Sequence, residues 1–96
     1  MKMSHLLYFK TAAEMGRLSL AAQKLSVASP TLSIAIKNLE KELGVPLFIR
    51  HSNRIVLNEQ GKAYLYYVNR ILAQLELAKQ EIQSMASAQK NTEETL

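Results

Sequence analysis

Residues 29–37 read SPTLSIAIK. At helical spacing they set Ser29, Thr31, Ser33 and Lys37 on one side of a helix, with Ile34 among them. Hydroxyls exchange hydrogen bonds with base edges or phosphate oxygens, an ammonium group binds phosphate, and a branched alkyl group can meet a thymine methyl. A plain solvent-facing side needs none of this pattern, and isolated surface isoleucines are common. A second cluster, Arg50–His51–Ser52–Asn53–Arg54, gathers two guanidinium groups and three further polar side chains within five residues. Both clusters suit a polyanion. Neither suits catalysis.

The residue inventory closes off most enzyme chemistry. The chain has no cysteine and two histidines, His5 and His51, which lie in no metal-ligand spacing, and aspartate does not occur. Glu40 and Glu42 stand two apart on a helix and point in different directions. Three glycines form no phosphate-cradling loop. No cofactor, metal or catalytic group is therefore expected.

Charge is unevenly placed. The total of +4 divides into eight basic and three acidic side chains over residues 1–54, and four basic against five acidic over 55–96. The front half is built to meet a polyanion and the back half is not. No apolar run approaches the roughly 20 residues of a membrane span, and the absence of cysteine fits a reducing compartment. No membrane partner and a cytoplasmic location are the expectation.

The elements that must hold these clusters can be read from caps and periodicity. A first helix carries Leu6, Phe9, Ala12 and Ala13, with Ser4 as expected N-cap and Gly16 as its stop. A second, short helix has Ser19 as expected N-cap and packs through Ala21, Ala22 and Leu25; residues 26–28 form a tight turn. The third runs from Ser29, its expected cap, with Pro30 at the first helical position. Its inner stripe is Leu32, Ile36, Leu39 and Leu43, and Gly44 and Pro46 end it. Two β-prone pieces, residues 45–50 and 54–57, predict a hairpin in which Asn53 takes the left-handed turn position.

From Asn58, the expected cap, a helical pattern resumes over residues 59–88. Leu65, Val68, Leu72, Leu75 and Ile82 lie on three- and four-residue steps, with Tyr64, Tyr67, Ile71, Ala78 and Met85 widening the apolar surface. A helix of about 40–45 Å outruns what so small a domain can cover. Pairing with its own copy is the economical solution, and the first five residues form the expected dimerisation seam. Residues 89–96 lack large apolar groups until the final leucine and are expected to form a disordered tail.

Three helices and a hairpin make the parts list of a winged helix-turn-helix, mainly α, with the wing at 49–56. Over residues 5–75 the chain resembles the DNA-binding domain of LysR-type transcriptional regulators. Phe9, Ala21–Ala22, Leu25, Pro30, Leu32, Ser33, Ile36, Leu39–Glu40, Leu43–Gly44, Leu47–Phe48, Arg50, Leu57 and Gly61 fall where that family's pattern expects them.

The resemblance implies a winged helix-turn-helix domain over 1–58 that binds double-stranded DNA, with residues 29–43 in the major groove. It also implies a linker helix over 59–88 that pairs antiparallel with a second copy. Candidate DNA contacts are then Ser29, Pro30, Thr31, Ser33, Ile34 and Lys37, with Arg50, His51, Ser52, Asn53 and Arg54 of the wing. In the family a small-molecule inducer binds a larger C-terminal domain, absent from these residues, and full-length members form tetramers. An expressed fragment is the favoured explanation of that absence.

Departures from the pattern are Ser29 and Ala35 where glutamines are frequent, Ala28 where a hydroxyl is usual, and Ile34 where polar residues are common. Adenine readout by those amides is missing, so weak base discrimination is expected. The rival expectation is a protein-interaction module whose winged-helix head does not bind DNA productively. The charge of the front half opposes it.

Overall fold

The computed structural model describes the backbone of residues 1–95 and the side chains of residues 1–88. In chain order the elements are α1 (Met3–Met15), α2 (Leu18–Leu25), α3 (Ser29–Leu43), β1 (Phe48–His51), β2 (Arg54–Leu57) and α4 (Glu59–Thr95). The head, α1 to β2 with the first turns of α4, closes around Leu6, Phe9, Ala12, Ala21, Ala22, Leu32, Ile36, Leu39, Leu47, Phe48, Ile55 and Val68. Phe9 is the aromatic centre, 5.4 Å from the Phe48 ring and 5.3 Å, edge-on, from Tyr64. Among the described residues no helix is long and apolar enough to cross a membrane.

Three helices begin without the side-chain caps the sequence suggests. The N-cap residues are Lys2, Arg17 and Ala28, and none makes a capping side-chain hydrogen bond. Ser4, Ser19 and Ser29 therefore already lie inside their helices. The chain enters each helix in extended backbone, and the Arg17 and Ala28 carbonyls accept the first helical bonds from Ala21 and Leu32. The helix stops match expectation: Gly16 (φ 70°) and Gly44 (φ 80°) both sit in the left-handed region where glycine avoids the Cβ clash.

The hairpin is antiparallel, pairing Phe48 with Leu57, Ile49 with Val56, Arg50 with Ile55 and His51 with Arg54. Its two-residue tip is Ser52–Asn53, and the left-handed residue is Ser52 (φ 50°) rather than Asn53. The Ile55 N–H donates to the Gly16 carbonyl at 3.0 Å, fastening the wing to the α1–α2 turn.

Asn58 joins wing and long helix. Its Oδ1 accepts the Gly61 N–H at 2.7 Å as the expected cap, its Nδ2 donates to the Pro46 carbonyl at 2.8 Å, and its backbone N–H donates to the Leu47 carbonyl at 3.0 Å. The Leu47 N–H in turn donates to Glu40 Oε2 at 2.6 Å, so α3, the strand entry and α4 are one bonded unit.

Two expectations about α4 need correction. The helix is 37 residues long and reaches Thr95, past the expected end at 88. The disordered tail expected at 89–96 concerns residues whose side chains lie outside those described. Val68 is wholly buried (0% exposed), and Leu65 and Leu72 pack beside it against the head. Val68 is thus taken up within the chain, and Leu65 and Leu72 are partly so, because the first turns of α4 cover the head's open side.

Candidate nucleic-acid interface

With Leu32, Ala35, Ile36 and Leu39 buried, the outward face of α3 is settled by geometry. Pro30, Thr31, Ile34, Lys37, Asn38 and Lys41 are exposed and lie on adjoining i, i+3 and i+4 positions. Ile34 stands at the middle of this face and is 59% exposed. Ser33 is half-buried at the face's margin, and Ser29 turns towards the wing.

The second surface is a cleft between the wing and the starts of two helices. It is lined by Arg50, Ser52, Asn53 and Arg54 of the wing, Leu18 and Ser19 of α2, and Ser29 of α3. No carboxylate lines it. The first-turn N–H groups of α2 and α3 add partial positive charge beside the two guanidinium groups. Ion pairs among the described residues join the N-terminus to Glu42, Lys10 to Glu14 and Lys62 to Glu59; Arg50, Arg54, Lys37 and Lys41 take part in none of them. An anion with several oxygens fits this cleft.

Of the expected contact residues, Ser29, Arg50, Ser52, Asn53 and Arg54 are brought together by the fold. It places Pro30, Thr31, Ile34 and Lys37 on a separate, adjoining face, with Ser33 at the margin and His51 exposed on the wing. Asn38 and Lys41 went unrecognised, although they lie four and seven residues beyond Ile34 on the same face. Ser19, expected as a cap, lies in the cleft instead. Asn38 also supplies an exposed amide on a helix whose first two turns have none.

A third surface runs along α4. Tyr67, Ile71, Leu75, Ile82 and Met85 are exposed large apolar residues, and with Ala78 they form one stripe. A shallow trough along it is lined by Tyr67, Arg70, Ile71, Gln74, Leu75 and Ala78. Of the five seam residues, Leu75 and Ile82 remain on this outward stripe, whereas Leu65, Val68 and Leu72 do not.

A three-helix head, a hairpin wing fastened to it and a helix start reserved for an outer face together define a winged helix-turn-helix domain carrying a long helical arm. Residues 3–62 match the family model described as "Bacterial regulatory helix-turn-helix protein, lysR family". The chain belongs to that family.

It is 40% identical over 85 residues to the uncharacterized HTH-type transcriptional regulator YybE of Bacillus subtilis (strain 168), covering 88% of this chain and 29% of that protein. It is 38% identical over 80 residues to the HTH-type transcriptional regulator CzcR of Bacillus anthracis, covering 83% and 28%. The chain thus spans less than a third of the length of these relatives. Among solved structures, a BenM_DBD/catB site 1 DNA complex superposes with a TM-score of 0.87 at 33% identity, covering 92% of this chain and 95% of that one. A CbnR_DBD–DNA complex gives 0.84 at 32%, covering 90% and 99%.

Proposed function

We propose that residues 1–58 bind double-stranded DNA and that α4 pairs two such heads, as part of a transcriptional regulator acting in the bacterial cytoplasm. The observation that carries this is the wing cleft. Two arginines that take part in none of the ion pairs among the described residues, two helix starts and three hydroxyls converge there with no carboxylate in the lining, beside a helix whose outer face carries polar and apolar groups. The likeness to domains solved with DNA supports the same reading.

The roles divide by chemistry. Arg50, Arg54, Ser52, Asn53, His51 and Ser29 hold phosphates, which set register without reading sequence. Pro30 brings the start of α3 close to the duplex, and Thr31 and Ser33 donate to phosphate or base edges. Ile34 meets a thymine methyl, and Lys37 binds phosphate from the groove's edge. A small-molecule inducer and assembly into tetramers would belong to a further domain, consistent with the greater length of the relatives.

The test is Arg54→Ala, measured across a salt series on a selected duplex and on an unrelated one. Affinity should fall by a similar factor on both, and the slope of log K against log salt should shrink by about one, the release of one phosphate's counterions. An unchanged slope with an altered base preference would mean that Arg54 reads bases. Absence of binding to any duplex would favour the interaction-module alternative.

A further inference from the structure

We propose that the outward face of α3 recognises the C5-methyl group of a pyrimidine whatever stands at C4, so that 5-methylcytosine takes the place of thymine at one position of each half-site. This rests on the DNA-binding reading proposed above and adds the chemical group that α3 selects.

Ile34 is the centre of the face and is 59% exposed. At 100° per residue, Pro30 and Thr31 stand about 40° and 60° to its two sides, one turn nearer the helix start. The proline ring, the threonine methyl and the isoleucine side chain thus form a small apolar patch. It lies in the part of a recognition helix that meets base edges. In the major groove the apolar group on a base edge is the methyl at C5 of thymine. Cytosine presents a bare C–H there. A cytosine methylated at C5 carries the same methyl in the same place.

The polar groups around the patch do not separate the two pyrimidines. Thymine offers an acceptor at C4 and cytosine a donor. The Thr31 hydroxyl and the Asn38 amide each donate and accept, so either satisfies both bases by rotating. Asn38 lies one turn beyond Ile34, about 40° from it on the Thr31 side. A carboxylate would favour the cytosine amine, but both carboxylates of α3 are bonded away from this face. Glu40 Oε2 accepts the Leu47 N–H at 2.6 Å, and Glu42 Oε1 accepts the N-terminal ammonium at 2.7 Å. A guanidinium group would select guanine, and α3 contains no arginine. Discrimination is left to the methyl.

The consequence is a site whose occupancy responds to enzymatic methylation. A transferase that adds a methyl group to cytosine C5 at this position strengthens binding without altering the sequence. One methyl taken out of water is worth about three- to five-fold in affinity. Where both half-sites carry it, independent effects multiply to about 10–20-fold.

The test uses a selected duplex and one variant. Each thymine is first replaced by uracil, which lacks only the methyl, and one position per half-site should lose about three- to five-fold. At that position the thymine–adenine pair is then changed to cytosine–guanine and to 5-methylcytosine–guanine. The methylated pair should bind more tightly than the unmethylated one by the same factor. Ile34→Ala, an exposed substitution to a better helix former, should equalise thymine with uracil and cytosine with 5-methylcytosine. Indifference to every uracil, equal affinity for cytosine and 5-methylcytosine, or a methyl effect that persists in Ile34→Ala would overturn the proposal and leave DNA binding standing. Binding to no duplex would overturn both.

Discussion

Replacing Ile71 and Leu75 together with glutamate should turn the dimer into a monomer and cut affinity for a duplex carrying two half-sites by about 10²–10⁴-fold. Both residues lie on the outward stripe, 43% and 47% exposed in the single chain, so neither supports the head. In a pair they are desolvated against each other's helix, and carboxylates placed there lose water without gaining partners. The loss in DNA affinity follows from tethering rather than from any DNA contact: once the first head is bound, the second finds its half-site at high effective concentration. Sedimentation and a binding titration on the same variant check the two parts. A variant that stays dimeric at tens of micromolar would place the pairing surface elsewhere.

Gly61→Ala should lower stability by about 2–4 kcal/mol, in the range of severe core clashes, and the melting temperature by roughly 10–20 °C for a domain of this size. A Cβ on Gly61 would collide with the Leu47 carbonyl oxygen and stand 2.8 Å from the Leu57 Cδ2. The oxygen belongs to backbone held on both sides. Leu47 donates its N–H to Glu40, accepts from the Asn58 N–H, and buries its side chain to 1% exposure. Moving it would loosen the junction of α3, wing and α4 together. Thermal unfolding measures the effect, and an unchanged melting temperature would show that this junction yields at no cost.

Much of the head was legible because its signals are local. Ser29–Leu43 was bounded by a proline near the start, a four-residue apolar stripe and a glycine at the end. Those features act within one helix and do not depend on what surrounds it. The hairpin followed from a change of period and a polar tip. The starts of the helices were less legible, since a serine near a helix start is a cap only if the backbone enters there, and Lys2, Arg17 and Ala28 take that place.

The seam on α4 was split between two faces for a different reason. Leu65–Val68–Leu72 and Tyr67–Ile71–Leu75 both obey three- and four-residue steps on neighbouring faces of one helix. Which face turns inward is decided by the head that docks there, through Phe9, Tyr64 and Val68. Gly61 has no local cue either, because the carbonyl it avoids comes from residue 47. The candidate interface was half legible. The arginines and hydroxyls of the wing and α3 announced themselves by type, while Ser19, Asn38 and Lys41 became candidates only when the fold set them beside the others.

The central claim is that two heads, held at a fixed separation by paired α4 helices, read two half-sites of one duplex. It is tested most directly by titrating the protein against a selected duplex and against the same duplex with five base pairs inserted between the half-sites. The insertion turns one half-site by about half a helical turn without changing any contacted base. The expected result is that affinity for the expanded duplex falls to that of a duplex with one half-site. Equal affinity for the original and expanded duplexes would contradict the account.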